Sequence, residues 1–249
     1  AVGRRLPGIP QVACFDTAFH RRLPELAQRL PLPEWLWETG VRRYGFHGLS
    51  FESVISSLGS ELAPRTVIAH LGSGASLVAL RDGQPVETTM GFTPAGGVMM
   101  GTRSGDLDPG VLVYLLRNKG FDAERLDRLV SREAGLLGVS GQTSDMRTLL
   151  EQREREAGAD LAVSLFCRSV RKAIGSLATV LGGLDLLVFT GAIGEHSSAV
   201  RREILSGLGH LGISGDGEAT SPTASAVRVV ATNENLVIAR HTRSLLADG

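Results

Sequence analysis

Gly101-Thr102-Arg103-Ser104-Gly105 sets a guanidinium between two flexible backbone points with a hydroxyl on either side. That arrangement suits a phosphoryl group, because the guanidinium fork donates in pairs and keeps its charge at every accessible pH. Alone, it reads equally as an arginine tying down a mobile loop, with Asp106 and Asp108 as its partners. Gly72-Ser73-Gly74 lacks the third glycine of a dinucleotide fingerprint. A glycine-rich hairpin tip can still aim consecutive backbone N–H groups at a phosphate, although a plain tight turn is the simpler reading. Four more polar groups stand at strand ends or turns: Asp16, His47 in Tyr44-Gly45-Phe46-His47-Gly48, His70, and Glu234 at the start of the last helix. Singly, each histidine is more often a satisfied, partly buried residue, and each carboxylate a turn or cap residue. Together they place one arginine, two histidines and two carboxylates beside glycine loops. That set fits phosphoryl transfer, where positioning, Mg²⁺ and cationic groups supply most of the rate.

Composition narrows the alternatives. The 249 residues carry 26 Lys+Arg against 26 Asp+Glu, so no bulk field favours nucleic acid or an anionic membrane surface, and neither is an expected partner. Lys119 and Lys172 are the only lysines, and neither follows a P-loop glycine run or sits in a kinase-type strand, which removes both lysine chemistries. Cys14 and Cys167 are too few for a disulfide framework or a cysteine-ligated zinc, so a reducing cytoplasm is the expected home. No apolar run approaches the roughly 18 residues that span a bilayer. The start, Ala1-Val2-Gly3, has no initiator Met and no signal core, and reads as a trimmed or partial chain.

The elements that must hold these groups follow from hydrophobic period and glycine punctuation. Residues 66–70 read as a buried strand, 72–76 as a tight turn and 77–80 as the return strand, with a third antiparallel strand at 86–90. Residues 12–15 form a short apolar run, and the polar stretch from there to Leu30 reads as helical. Residues 91–108 form a glycine-rich loop longer than a compact domain usually tolerates without a function. Asp108 and Pro109 start a helix over 111–118, and 122–132 and 149–156 read as further helical segments. The longest helix is expected over 159–181, stopping at Gly182-Gly183. A buried strand at 184–190, a glycine turn at 191–195, a helix at 197–208, a strand at 226–230 and a helix at 233–246 complete the chain. The pattern predicts one sheet-based α/β domain with ligand loops at its strand ends.

Specific motifs go further. Phe15-Asp16-Thr17-Ala18-Phe19-His20, Arg43-Tyr44-Gly45-Phe46-His47-Gly48, Ala69-His70-Leu71-Gly72 and Met90-Gly91-Phe92-Thr93-Pro94 stand in order, followed by Met100-Gly101-Thr102-Arg103-Ser104-Gly105-Asp106. Ser144-Asp145-Met146-Arg147, Phe189-Thr190-Gly191-Ala192-Ile193-Gly194-Glu195 and Thr232-Asn233-Glu234 complete the series. This series resembles the successive motifs of the acetate kinase family over nearly the whole chain. The resemblance implies a ribonuclease-H-like α/β fold of the actin, Hsp70 and sugar kinase superfamily, with a mixed sheet flanked by helices.

By that resemblance Asp16, His47 and Arg103 are catalytic, with Asp16 near the transferred phosphoryl group and Mg²⁺, and with His47 and Arg103 stabilising the transition state. His70, Leu71, Gly72, Ser73 and Gly74 lie against the ATP phosphates. Asp145, Met146 and Arg147, with Ala192, Ile193, Gly194, Glu195 and His196, frame the adenosine, and Glu234 holds Mg²⁺, for which Mn²⁺ can substitute. The implied reaction is reversible transfer from ATP to acetate, giving acetyl phosphate and ADP. A propionate or other short-chain acyl kinase is the alternative, as is a non-catalytic nucleotide-binding and dimerisation half. A homodimer is implied. Residues 1–15 are expected to end an N-terminal domain or linker, 16–233 to form the nucleotide-binding and dimerisation domain, and 234–249 to form a helix returning towards the N-terminal domain. Four positions depart from the family pattern: Ser73 for Asn, Phe51 for a second His, His196 for Asn and Asn235 for a second Glu. The family's N-terminal portion, with a phosphate loop, an active-site arginine and part of the carboxylate pocket, has no counterpart in this chain, so the chain as given is expected to be incomplete for activity.

Overall fold

The computed structural model describes residues 2–213 and 225–247; the outermost positions of the two expected terminal units, 1 and 248–249, lie outside that range. A five-stranded sheet organises the chain: β1 (Arg65–Leu71), β2 (Ala75–Arg81), β3 (Gln84–Thr88), β4 (Leu186–Thr190) and β5 (Ala226–Val229), in the order β3-β2-β1-β4-β5. β1 to β3 form an antiparallel meander, while β4 and β5 run parallel to β1. Pro85 interrupts the ladder only on the edge strand β3, where a missing N–H is tolerated.

Alternation along β1 and β4 feeds two apolar layers. Val67, Ala69, Leu71, Leu187 and Phe189 face the larger one, built on the long helix with Phe166, Val170 and Ile174. Ile68, Leu186 and Val188 face the smaller one, with Phe51, Val54 and Leu58. The principal helices are α1 (Gly48–Leu58), α2 (Pro109–Asn118), α3 (Gly135–Ser140), α4 (Met146–Gln152), α5 (Ala157–Leu181), α6 (Gly191–His196), α7 (Ser198–Leu205) and α8 (Glu234–Ala247). α5 ends at Gly182 (φ +72°), with Gly183 N–H donating to Ala178 and Gly182 N–H to Thr179, a two-bond cap that the glycine pair makes possible. α8 lies along α1, with His241 Nε2 2.6 Å from Glu52 and Arg240 2.6 Å from Ser56.

Several expected elements are redrawn. The polar stretch to Leu30 is not one helix but short turns at Ala18–Arg22 and Glu25–Gln28, because Pro24 removes a donor between them. Residues 191–195 form the helix α6 rather than a turn. α4 starts three residues earlier than the expected segment at 149–156, where Asp145 caps it. The helix expected over 122–132 gives way after Arg128 to a wider π turn, Leu129–Glu133. α1 and α3 were hidden by their composition. Glycine, serine and β-branched residues dilute the 3.6-residue period in α1, and α3 is a six-residue element that starts on a glycine.

Candidate active site

The hairpin between β1 and β2 closes at Gly72-Ser73-Gly74, where Gly72 N–H donates to Gly74 O at 2.9 Å. Three side chains converge on this tip. A Cβ on Gly74 would lie 3.2 Å from His47 Nε2 and 3.3 Å from Arg103 Nη1, and one on Gly72 would lie 3.7 Å from His70 Nε2. The space is open only because these positions carry no side chain. His47 arrives in a left-handed conformation (φ 59°) as the residue before α1, a strained geometry typical of functional positions. Its ring stacks on that of His70 at 4.3 Å and 20°. Nδ1 of His47 meets Ser76 Oγ, and Nδ1 of His70 meets Ser50 Oγ, both at 2.8 Å.

Arg103 is brought in by the long loop after β3. Gly97 N–H to Asp106, Gly105 N–H to Ala95 O and Met100 N–H to Arg103 O hold that loop on itself. Helix α3 seals it from behind: Leu136 N–H and Leu137 N–H donate to Met100 O and Gly101 O at 2.9 Å, and a Cβ on Gly135 (φ +62°) would strike Met100 O at 2.2 Å. Asp106 and Asp108 are not the arginine's partners. Asp106 accepts from Gly97 N–H, and Asp108 caps α2 at Gly110. Arg103 instead donates to Pro94 O at 3.3 Å and has no carboxylate partner among the described residues, which leaves its charge for an anion at the tip.

Asp16 and Glu234 face each other from opposite ends of the chain. Asp16 O accepts from Gly48 N–H at 3.0 Å; a Cβ on Gly48 would sit 2.3 Å from that oxygen, so the glycine lets the turn at Asp16 reach the start of α1. Glu234 opens α8, positioned by Asn233, whose N–H donates to Ser53 Oγ and whose side chain accepts from Leu236 N–H. Burial, reinforced by the negative charge of Asp16, holds the Glu234 carboxyl above the usual carboxylate range. Glu234 takes no side-chain hydrogen bond or ion pair among the described residues. Two oxygen donors repelling each other beside an anion site fit a hard divalent cation with several waters; no cluster of three or more ligating side chains forms among the described residues.

A cavity of about 740 Å³ opens on the other side of Ser73, large enough for a nucleoside. Asp145, Met146 and Arg147 from the start of α4 line one wall, and Ala192, Ile193 and His196 from α6 line the opposite wall. The sequence overlooked Ser144, Leu150, Glu151 and Ser197 in the same lining; Leu150 lies one helical turn beyond Met146. Three expected contact residues face elsewhere. Leu71 is fully buried in the core, and Gly194 packs on Leu71 and Phe189. Glu195 turns inward: Oε1 accepts from Gly191 N–H, Thr232 N–H and Thr190 Oγ, binding the strand end to the segment that carries Glu234. Phe51, where the family pattern has a second histidine, is fully buried and meets the His20 ring edge-on at 5.8 Å.

Burial depresses both stacked histidines, His47 to about 4, with Arg103 and His20 adding repulsion, and His70 to about 3, with His47 opposing and Asp16 and Glu195 partly compensating. Because the folded values are lowered, the unfolded chain takes up protons first as pH falls below about 6.5. Stability that is whole above that pH is therefore lost as it falls towards the folded values, by about 2 kcal/mol per histidine at pH 5. His20, also depressed by burial, adds to this loss; urea unfolding of the protein at pH 7.5 and pH 5 should show it, reduced in His70→Gln, and equal losses in both proteins would contradict it.

A meander followed by parallel strands in the order 3-2-1-4-5, helices on both faces and a glycine hairpin tip beside a nucleoside-sized cavity define a ribonuclease-H-like fold of the actin, Hsp70 and sugar kinase type. The chain belongs to the acetokinase family, whose model matches residues 1–241. It is 48% identical over 265 aligned positions to the acetate kinase of Rhodopseudomonas palustris, covering all of this chain and 66% of that protein. It is 46% identical to the propionate kinase of Citrobacter rodentium, covering 94% of this chain and 62% of that one. The crystal structure of Porphyromonas gingivalis acetate kinase superposes with a TM-score of 0.90 at 37% identity, covering 98% of this chain and 66% of that one. The chain thus spans just under two thirds of the length of these relatives.

Proposed function

We propose that this chain supplies the nucleotide side of an acetate kinase, which transfers the terminal phosphoryl group of ATP reversibly to acetate, giving acetyl phosphate and ADP. The observation that carries this reading is the convergence of His47 Nε2 and Arg103 Nη1 on the Gly74 position, next to a cavity that the same hairpin tip helps to wall. With adenosine between Met146 and Ile193, the phosphates run past Ser73 to that point. There the arginine fork and imidazole N–H groups meet charge that develops during transfer. Asp16 and Glu234 fit Mg²⁺, or Mn²⁺ in its place; when bound, the cation neutralises phosphate charge. Leu71, Gly194 and Glu195 support the site through backbone and packing rather than by contact.

Acyl hydroxamate trapping with acetate, propionate and butyrate tests the reading on the protein carrying this chain. ATP-dependent hydroxamate, greatest with acetate, is expected. Greatest yield with propionate would favour the alternative that the Citrobacter rodentium relative suggests, and no carboxylate-dependent product would overturn the reading. Glu234→Gln should raise the Mg²⁺ concentration for half-maximal rate severalfold. An unchanged Mg²⁺ dependence with a small stability loss would reduce Glu234 to a helix-start charge.

Self-association belongs to the same proposal. Helix α2 buries none of its residues, and Val111, Val113, Tyr114 and Leu116 are all exposed, an apolar surface suited to a second copy. Sedimentation at rising concentration tests it: a constant monomer mass contradicts the homodimer. Cytoplasmic residence is part of the reading and is consistent with two free cysteines; among the described residues no helix is long and apolar enough to cross a membrane.

A further inference from the structure

Ser50 and Ser76 stand behind the two stacked imidazoles, on the side away from the hairpin tip. Both serines are fully buried. Ser76 lies on β2 directly across the ladder from His70, yet its hydroxyl reaches past that strand to His47 Nδ1; Ser50, in the first turn of α1, reaches His70 Nδ1. The two bonds therefore cross between the elements. The helix that begins after His47 anchors His70, and the strand paired with His70 anchors His47. Each hydroxyl has that ring nitrogen as its one hydrogen-bond partner among the described residues.

This pairing decides where the ring protons sit. A hydroxyl can donate one proton and accept at its lone pairs, and a neutral imidazole donates from one nitrogen and accepts at the other. If Nδ1 carried the proton, the serine would accept and its own O–H would point into the core with no acceptor. An unsatisfied buried donor costs about 1–3 kcal/mol. If the serine donates to a bare Nδ1, both groups are satisfied and the imidazole proton is left on Nε2. In both rings Nε2 is the atom turned towards the glycine tip, 3.2 Å and 3.7 Å from the Cβ positions of Gly74 and Gly72.

We propose that Ser76 and Ser50 are positioning residues that fix the proton of His47 and of His70 on Nε2, so that the stacked pair presents two adjacent N–H donors to the oxygens of a transferring phosphoryl group. The stacking holds the two donors side by side, and Arg103 Nη1 adds a charged donor at the same point. A single buried hydroxyl behind each ring thereby selects a donor over an acceptor facing an anion, without requiring an imidazolium. The use made of the two protons rests on the phosphoryl-transfer reading; their position does not.

Nitrogen-15 NMR of the imidazoles in the 249-residue chain, at neutral pH and without substrate, reads the tautomers directly. His47→Gln and His70→Gln variants assign the two rings. Both are expected to show a protonated Nε2 and a bare Nδ1. Ser76→Ala should move His47 towards a mixture of tautomers and leave His70 unchanged, and Ser76→Thr, which keeps the hydroxyl, should restore it. A protonated Nδ1 at either ring in the unsubstituted chain, or a His47 tautomer indifferent to Ser76→Ala, would overturn the proposal. If Ser76→Ala fails to fold, the spectrum of the unsubstituted chain decides. Because no nucleotide or carboxylate is present, the NMR result stands even if hydroxamate trapping refutes the kinase reading.

Discussion

If the phosphoryl-transfer reading holds, Arg103→Ala should lower turnover by about 10²–10³ while the fold persists, the loss expected when one preorganised donor to a transition-state anion is removed. The contacts it sacrifices within the fold are few: one bond to Pro94 O at 3.3 Å and a long approach to the Met100 sulfur. The stability change should therefore stay near about 1 kcal/mol, the net worth of an ordinary hydrogen bond. Arg103→Lys should recover little, because a point charge on a flexible stem does not reproduce a planar fork. Steady-state kinetics beside a melting curve check this. Near-normal turnover would remove Arg103 from the site, and a collapsed melting temperature would make it a loop anchor.

The second large effect comes from a single methyl group. In Gly74→Ala the new Cβ would stand 3.2 Å from His47 Nε2 and 3.3 Å from Arg103 Nη1, tighter than such contacts ordinarily are. Both groups must shift outward. Shifts of a few tenths of an ångström relieve the contacts, and because a misplacement of about 1 Å can cost about 10²-fold in rate, a loss of roughly several-fold to tenfold follows. Gly74 does not have the positive φ that makes glycine obligatory at other turns of this chain, so backbone strain adds little and the protein should fold. Loss of turnover with an unchanged melting temperature is expected; full activity would mean that nothing needs the space in front of Gly74.

Much of this was legible in the residues, and the reasons differ between elements. The hairpin 66–80 was visible because short continuous apolar runs, a glycine tip and β-branched residues agree there, and the long helix because its apolar stripe runs unbroken to a glycine pair. Arg103 and the Gly72 tip stood out as a pair of glycine loops, and the structure brings Arg103 Nη1 within 3.3 Å of where a Cβ on Gly74 would stand. Helix α1 was missed because its burial against the sheet, rather than its local propensity, holds it together. Glu195 could not be separated from the cavity residues around it, since a side chain folded back onto its own helix start has no sequence signature. The serines behind the histidines were equally silent. Ser76 faces His70 only once the hairpin register is known, and Ser50 reaches His70 only once α1 is docked on that face of the sheet.

Calorimetry of the 249-residue chain with ATP and Mg²⁺ tests the central claim most directly. The cavity between α4 and α6 should bind adenine nucleotide at one site per chain, and Ala192→Trp, which fills it from an exposed position on α6, should abolish the heat without lowering the melting temperature. Binding that survives Ala192→Trp unchanged, or no binding by the folded chain at any attainable ATP concentration, would contradict a nucleotide site there.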